Sequence, residues 1–457
     1  MPDEPTSPPE DTKDNEKKNS DDIIRLAVYI FVGLIPFVVI AALIFIIKYT
    51  SGQVELFLKV LLGALLVFLP FLFTFATIKA YLAHKRISFF IEQGSVLMEI
   101  KVPKDTNKPL IAMELLLESL HQTGGEGTFI DRWIKGKTRA WFSLEMISLE
   151  GQIHFFIWMR KAWKRHVEAA VYSHYPDAEV HEVEDYTNYI PFDLKKYNLW
   201  ACEYKLNKPD PYPIRTYIDY GLDREVKGEY IVDPINSILE FLASINKGEF
   251  IWVQILVRAH KKEKKKKGKL FKKVDWKDEG REIIDKMIKD NAPPKLSLRI
   301  DEDPKEGPPS INLTTWQSEM IKAIERNLSK RAFDFGIRSL YIAEKDSFNP
   351  ITISGLVSVF KQYNYEHMNG FAPTRGHTVF DYPWQDFKEI RKKKISWQMY
   401  DAYKWRSYFY PPYKSPHGVM STEELATIFH IPGESSTTPT LPRVTSRKGD
   451  APTNLPV

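Results

Sequence analysis

Between Arg258 and Lys273 the sequence reads RAHKKEKKKKGKLFKK, ten Lys or Arg against one Glu. The cations are Arg258, Lys261, Lys262, Lys264, Lys265, Lys266, Lys267, Lys269, Lys272 and Lys273. Such a run repels itself and stays extended, so it reads as a loop between a strand and a helix. Near an anionic lipid surface each cation is worth about 1 kcal/mol. Nucleic-acid phosphates attract it equally, with steep salt dependence. A solubilising loop without a partner satisfies the same composition, and all three readings stay open on sequence grounds.

The other residues that could do chemistry point away from catalysis. Gly136-Lys137-Thr138 has the end of a phosphate-binding loop, but Asp131 stands where that loop needs a glycine. His174, His181 and Glu184 could be drawn as a metal cluster, yet His181 and Glu184 lie three apart on an expected strand and face opposite sides. Ser358-Val-Phe-Lys361 matches a Ser-x-x-Lys nucleophile only formally, without its companion motifs. Cys202 is the only cysteine, so no internal disulfide and no cysteine-based zinc site can form. The expectation is a non-enzyme with no cofactor and no metal. A second basic stretch, Lys388 to Tyr413, interleaves rings and cations; stacking on bases is one reading, and packing of its rings against the core is the favoured one.

The elements that must position these residues begin with membrane anchors. Residues 1–22 are polar and charged and read as a disordered tail. Leu26 to Ile47 and Val60 to Ile78 contain no charged residue. Each is close to the ~20 residues that cross ~30 Å of hydrocarbon, and both are apolar on all sides. A link of about ten residues joins them, so residues 23–86 are expected to form a two-helix transmembrane hairpin. Lys17, Lys18 and Arg25 before the first span and Lys79, Lys85 and Arg86 after the second outweigh Lys48 in the link and Lys59 at the second span's edge. That bias places both termini in the cytoplasm, and a lone cysteine fits a reducing compartment.

The rest reads as α+β. Val96 to Val102, Pro109 to His121, Trp141 to Leu149, Ile153 to Met159, Ala162 to Tyr175 and Ala178 to Val183 follow the order β-α-β-β-α-β, with Glu150-Gly151 as a hairpin turn. This predicts a ferredoxin-like unit over residues 95–186. Residues 187–382 are expected to form a second α+β unit. Its strands are Leu199 to Leu206, Ile214 to Tyr220, Phe250 to Val257 and Phe333 to Ala343, and its helices Pro234 to Ile245, Trp276 to Lys289, Thr314 to Arg331 and Ile351 to Tyr363. The basic loop 258–273 and a Pro-rich linker 291–310 interrupt it, and the period is too irregular for a sequence repeat. Residues 383–432 are a basic aromatic segment with a short helix from Ser421 to Phe429, and residues 433–457 an extended tail.

Glu145 to Tyr186 (EMISLEGQIHFFIWMRKAWKRHVEAAVYSHYPDAEVHEVEDY), Ala323 to Gly370 (with ERNLSKRAFDFGIRSLYIAEKDSFN and MNGF) and Ser421 to Pro456 (STEELATIFHIPG through APTNLP) together resemble the membrane-anchored N-terminal region of bacterial type IV secretion and conjugation ATPase-like proteins. In those ATPases the region precedes a P-loop motor, whereas this sequence closes at Val457 after APTNLP. The resemblance therefore implies an anchor and an α+β platform without ATP hydrolysis. It implies a scaffold or accessory subunit of a secretion or DNA-transfer apparatus in a bacterial inner membrane, docking a separate motor ATPase or secretion subunit. The alternative is a membrane-tethered nucleic-acid-binding protein acting through residues 258–273.

Overall fold

The computed structural model describes residues 52–101, 103, 108–190, 193, 195–223, 233–262, 264–265, 273–291, 313–374, 384–433 and 440–442. The chain divides at His84 into two units. The first expected span, Leu26 to Ile47, lies outside the described residues, as does the Pro-rich linker after Asn291. The second span falls in one helix, α1 (Gln53–Gln93), with Pro70 inside it. Its stretch from Lys59 to Gln93 is the one described helix long and apolar enough to cross a membrane. Its last turns, from Lys85, belong to the second unit.

In the second unit, β1 (Ser95–Lys101), α2 (Ile111–Ser119), β2 (Phe142–Leu149), β3 (Gln152–Arg160), α3 (Lys164–His174) and β4 (Glu179–Val183) come first. β5 (Tyr197–Leu206), α4 (Pro234–Ala243) and β6 (Glu249–Ala259) follow. Then come the two-residue strands β7 (Lys264–Lys265) and β8 (Lys273–Val274), α5 (Trp276–Asp290), α6 (Thr315–Ser329) and β9 (Ala332–Glu344). α7 (Pro350–Ser358), β10 (Phe371–Pro373), α8 (Ile390–Lys404), β11 (Gly418–Ser421) and α9 (Thr422–Ile428) complete the unit. Local signals set the boundaries. Glu150 and Gly151 both take positive φ, the twist a two-residue hairpin needs. Asp233 accepts from Ile235 N at the start of α4, and Ser421 and Glu424 form a capping box for α9.

One antiparallel sheet holds the large strands in the order β10-β5-β9-β6-β2-β3-β1-β4. It reads alike from both edges. The first half runs β-α-β-β-α-β with spatial order fourth-first-third-second, and the second half repeats that arrangement with β5, β6, β9 and β10. The halves meet where their second strands pair, Phe142 opposite Val257 through Leu149 opposite Phe250. The insertion between β6 and β9 holds β7, β8, α5 and α6, which hides the repeat from any fixed sequence period. β11 flanks β9 from Ala332 to Phe335, just before β5 takes over that side at Ile337.

The expected strand at Ile214 to Tyr220 is absent. That segment is a chain of turns stitched to α9: Ile214 N donates to Glu424 and Tyr217 N to Thr427 Oγ1. Its backbone groups are met by side chains, so the apolar alternation reports burial without a ladder.

The central strands are buried on both faces. On one face α2, α3, α4, α7 and α9 pack against Leu144, Met146, Val253, Ile255, Phe335 and Ile337. On the other, α8 and the aromatic stretch after it bring Tyr400, Tyr403, Tyr408, Phe409 and Tyr410 onto Trp158, Trp252, Leu256 and Leu340. These five rings of the second basic aromatic stretch therefore fill a core, while Trp397 is exposed. Gly336, midway along β9, leaves the space Tyr408 occupies: a Cβ there would stand 2.3 Å from the Tyr408 ring. Gly336→Ala is expected to destabilise the protein by about 1–3 kcal/mol, read as a lowered thermal midpoint of the detergent-solubilised chain; an unchanged midpoint refutes the tight contact.

Candidate functional site

The basic run does not leave the core where the sequence suggests. Arg258 is buried in β6, and its guanidinium donates to Asp334 Oδ2 from Nε at 2.9 Å and from Nη2 at 2.5 Å. The rings of Phe409 and Tyr410 lie 4.6 and 5.1 Å from it. Arg258 is thus a structural cation and is corrected out of the surface set. His260 follows, with Nδ1 2.6 Å from Asp334 Oδ1 and Nε2 3.2 Å from Asp275 Oδ1. Burial pushes the Asp334 carboxyl up, but the His260 hydrogen bond and the charges of Arg258 and His417 outweigh it and hold it at about 2.

Beyond His260 the chain emerges at Lys261 and Lys262, both exposed. Lys262 Nζ meets Asp278 at 2.9 Å. Lys264 and Lys265 then form β7, which pairs with β8. Part of the expected loop is therefore a two-stranded ribbon, with Lys265 directly opposite Lys273. Lys266, Lys267, Lys269 and Lys272 lie outside the described residues. Asp275 closes the ribbon and starts α5, its N–H donating to Asp278 at 3.2 Å.

At the foot of the ribbon lies a cleft of about 590 Å³, lined by His121, His260, Lys277, Lys330 and Arg331 against Glu118 and Asp275. Lys330 Nζ sits 2.8 Å from Glu114. Burial, helped by the charges of Arg331 and His260, holds the His121 pKa below its usual value despite its hydrogen bond with Ala332 O. The cleft offers cations and a neutral imidazole donor or acceptor, a set suited to holding an anion. It offers no activated nucleophile: Ser329 Oγ donates to Arg326 O. Cys202 is buried in β5, its thiol pushed up to about 11 by that burial.

The remaining motif residues are dispersed. Lys137 pairs with Asp131 at 2.9 Å, and Thr138 Oγ1 accepts from Arg160. His181 meets Glu179 at 3.2 Å, Glu184 accepts from Tyr189 at 3.0 Å, and Ser358 and Lys361 are both exposed. Among the described residues no group of three His, Cys, Asp or Glu is placed to hold a metal ion.

Sequence reasoning missed a polar row on the aromatic face. Glu203, Arg338, Gln254 and Glu145 stand opposite one another on β5, β9, β6 and β2. Arg338 Nη2 donates to Glu203 at 2.7 Å and its Nη1 to Gln254 at 3.3 Å. Gln254 donates to Glu145 at 3.1 Å. Arg406 holds Glu145 through Nε at 3.0 Å and Nη2 at 3.2 Å, and also pairs with Asp185. The available signal was a charged or amide residue set among apolar ones within each strand.

Residues 83–443 match a family described as Domain of unknown function (DUF8128). The chain belongs to that family. The match starts inside α1, after its most apolar stretch, and covers the whole sheet. No curated protein matches the chain.

Asp334→Asn is expected to cost about 3 kcal/mol at pH 7, because Arg258 is left buried beside a neutral group. The folded pKa of Asp334 lies below the unfolded one, so its contribution is present above about pH 4 and is lost as pH falls towards 2. The stability gap between parent and variant should close across that window, measured by thermal unfolding at stepped pH; a gap independent of pH refutes the assignment.

Proposed function

We propose that this protein is a non-enzymatic, membrane-anchored cytoplasmic platform. It is a scaffold or accessory subunit of a type IV secretion or DNA-transfer-like apparatus in a bacterial inner membrane, docking a separate motor ATPase. Two spans form a hairpin with both termini cytoplasmic, and each half of the sheet is a ferredoxin-like unit. The observation that carries the reading is α1: its most apolar window has no residue buried. Phe68, Phe71 and Phe75 are 71%, 73% and 66% exposed, which a helix tolerates in lipid and not in water. The fourth-first-third-second strand order of each half supports the ferredoxin-like reading, and the sequence resemblance supports the apparatus.

A second reading is a membrane-tethered nucleic-acid binder: the sequence of the run is dense in Lys, part of it forms the β7–β8 ribbon, and the cleft at its foot is lined by Lys277, Lys330 and Arg331. Nonspecific phosphate binding needs such cations.

In cells producing the full chain, the protein should stay in the membrane pellet through alkaline extraction. After solubilisation it should co-purify with an ATPase or secretion subunit of its host. Release into the supernatant overturns the anchor; purification without such a subunit overturns the scaffold. For the second reading, DNA binding by the solubilised chain should weaken log-linearly with salt. It should vanish when Lys261, Lys262, Lys264, Lys265, Lys266, Lys267, Lys269, Lys272 and Lys273 are replaced by Gln. Binding that survives the replacement disposes of the reading.

A further inference from the structure

A cavity of about 540 Å³ opens in the second unit beside α8. Three of its lining residues, Trp397, Asp401 and Trp405, follow one another at a helical spacing of four. They lie on one face, about 6 Å apart along the axis, with the carboxylate between two indoles. The helical turn holds through Trp405, whose N–H donates to Asp401 O at 2.9 Å. Tyr413 Oη donates to Asp401 Oδ2 at 2.5 Å and orients the carboxylate. Two further rings line the cavity: Phe90 lies 5.8 Å from Trp158 and 6.1 Å from Trp405.

Charge and precedent identify what such a cavity takes. Arg406 also lines it, but its guanidinium is already held by Glu145 and Asp185. Lys404 is exposed, so its ammonium can stay in water. Glu145, Asp185 and Asp401 thus stand against Arg406 and Lys404, and the balance favours a cationic guest. The rings favour a planar one: a guanidinium stacks on an indole while its edge donates to a carboxylate, which an ammonium cannot do. The same neighbourhood already holds one guanidinium in this way. Arg406 Cζ lies 5.9 Å from the Trp158 ring and 5.7 Å from the Tyr186 ring, and its Nη2 donates to Asp185 Oδ1 at 3.1 Å. Apolar surface continues from the cavity along α8: Trp397 is 51% exposed, and Ile390, two turns earlier on the same face, is 61% exposed. A cation carried on a peptide gains that contact, and a free small cation does not.

We propose that this cavity binds an arginine side chain of a partner protein, its guanidinium stacked on Trp397 and Trp405 and paired with Asp401. The site uses neither the apolar stretch of α1 nor the basic run, so it stands or falls apart from the anchor and from nucleic-acid binding.

The test is calorimetric titration of the detergent-solubilised full chain with an end-capped pentapeptide that has arginine at its centre and leucine on either side. Versions with lysine or with neutral citrulline at the centre are titrated alongside. The arginine peptide should bind about tenfold or more tightly than either. Trp397→Ala and Asp401→Asn should each weaken it about tenfold, and Trp397→Phe should restore most of the loss. Trp397 is exposed, so its variants should keep the parent's thermal midpoint, which leaves the test intact if Asp401→Asn destabilises the fold. Arginine and citrulline peptides of equal affinity overturn the proposal, as does binding unchanged in Trp397→Ala. Lysine and arginine peptides of equal affinity overturn the guanidinium assignment. Agmatine that displaces the peptide at the peptide's own concentrations assigns the cavity to a free guanidinium compound and overturns the partner.

Discussion

Glu145 has no exposed surface, lies on the strand where the two halves of the sheet meet, and carries a charge that something must answer. Arg406 answers it from the segment after α8, held in a left-handed backbone conformation at φ 46°, which a non-glycine residue adopts only when its surroundings over-determine it. The surroundings do so. The guanidinium reaches Glu145 and Asp185, Trp141 Nε1 donates to Arg406 O at 2.9 Å, and Tyr186 donates to Glu145 at 2.8 Å. Taking two charges out of water costs several kcal/mol per ion unless geometry and further hydrogen bonds repay it. Here the repayment comes from residues far apart in sequence, so the aromatic face can close only when α8, the seam and Asp185 are in place together.

The same rule governs the far end of that face. Asp334 stands on β9 where the insertion rejoins the sheet, and Arg258 from β6 and His260 just after it converge on it. Asp275, between β8 and α5, takes the other side of His260. The two feet of the basic ribbon are therefore joined through one imidazole and one buried carboxylate. Charge that the sequence credits to the run is partly spent on this joint, and what emerges at Lys261 stands on a fixed base.

Much of the fold was legible because it rests on local rules. Hairpin glycine, N-caps and period-two alternation define β1 through α3 and the helices α4 to α6 to within a few residues. What escaped has a common cause. β2, β6 and β9 are buried on both faces, so the sequence does not show which residues face helices and which face rings. Glu145, Gln254 and Arg338 looked like scattered polar positions, although the ladder lines them up in one row. Arg258 looked like the first cation of a surface run, because the strand's continuation to Ala259 is decided by pairing with Phe333 across a gap of some seventy residues. The repeat of the two halves was concealed by an insertion whose length no period could absorb. Of the candidate site, the exposed cations were legible from composition, and the cleft beneath them was not, since His121 and Arg331 reach it from opposite ends of the sequence.

These constraints bear on how a charged platform could work beside a membrane. Arg258 and Lys262 are matched by Asp334 and Asp278, and the strands that follow are two residues each. A pair of strands that short gains little from its ladder, so the place of the ribbon depends on its base. That base is the joint at His260, and the sheet beneath it is fixed by Asp334 and, across the aromatic face, by Glu145 and Arg406.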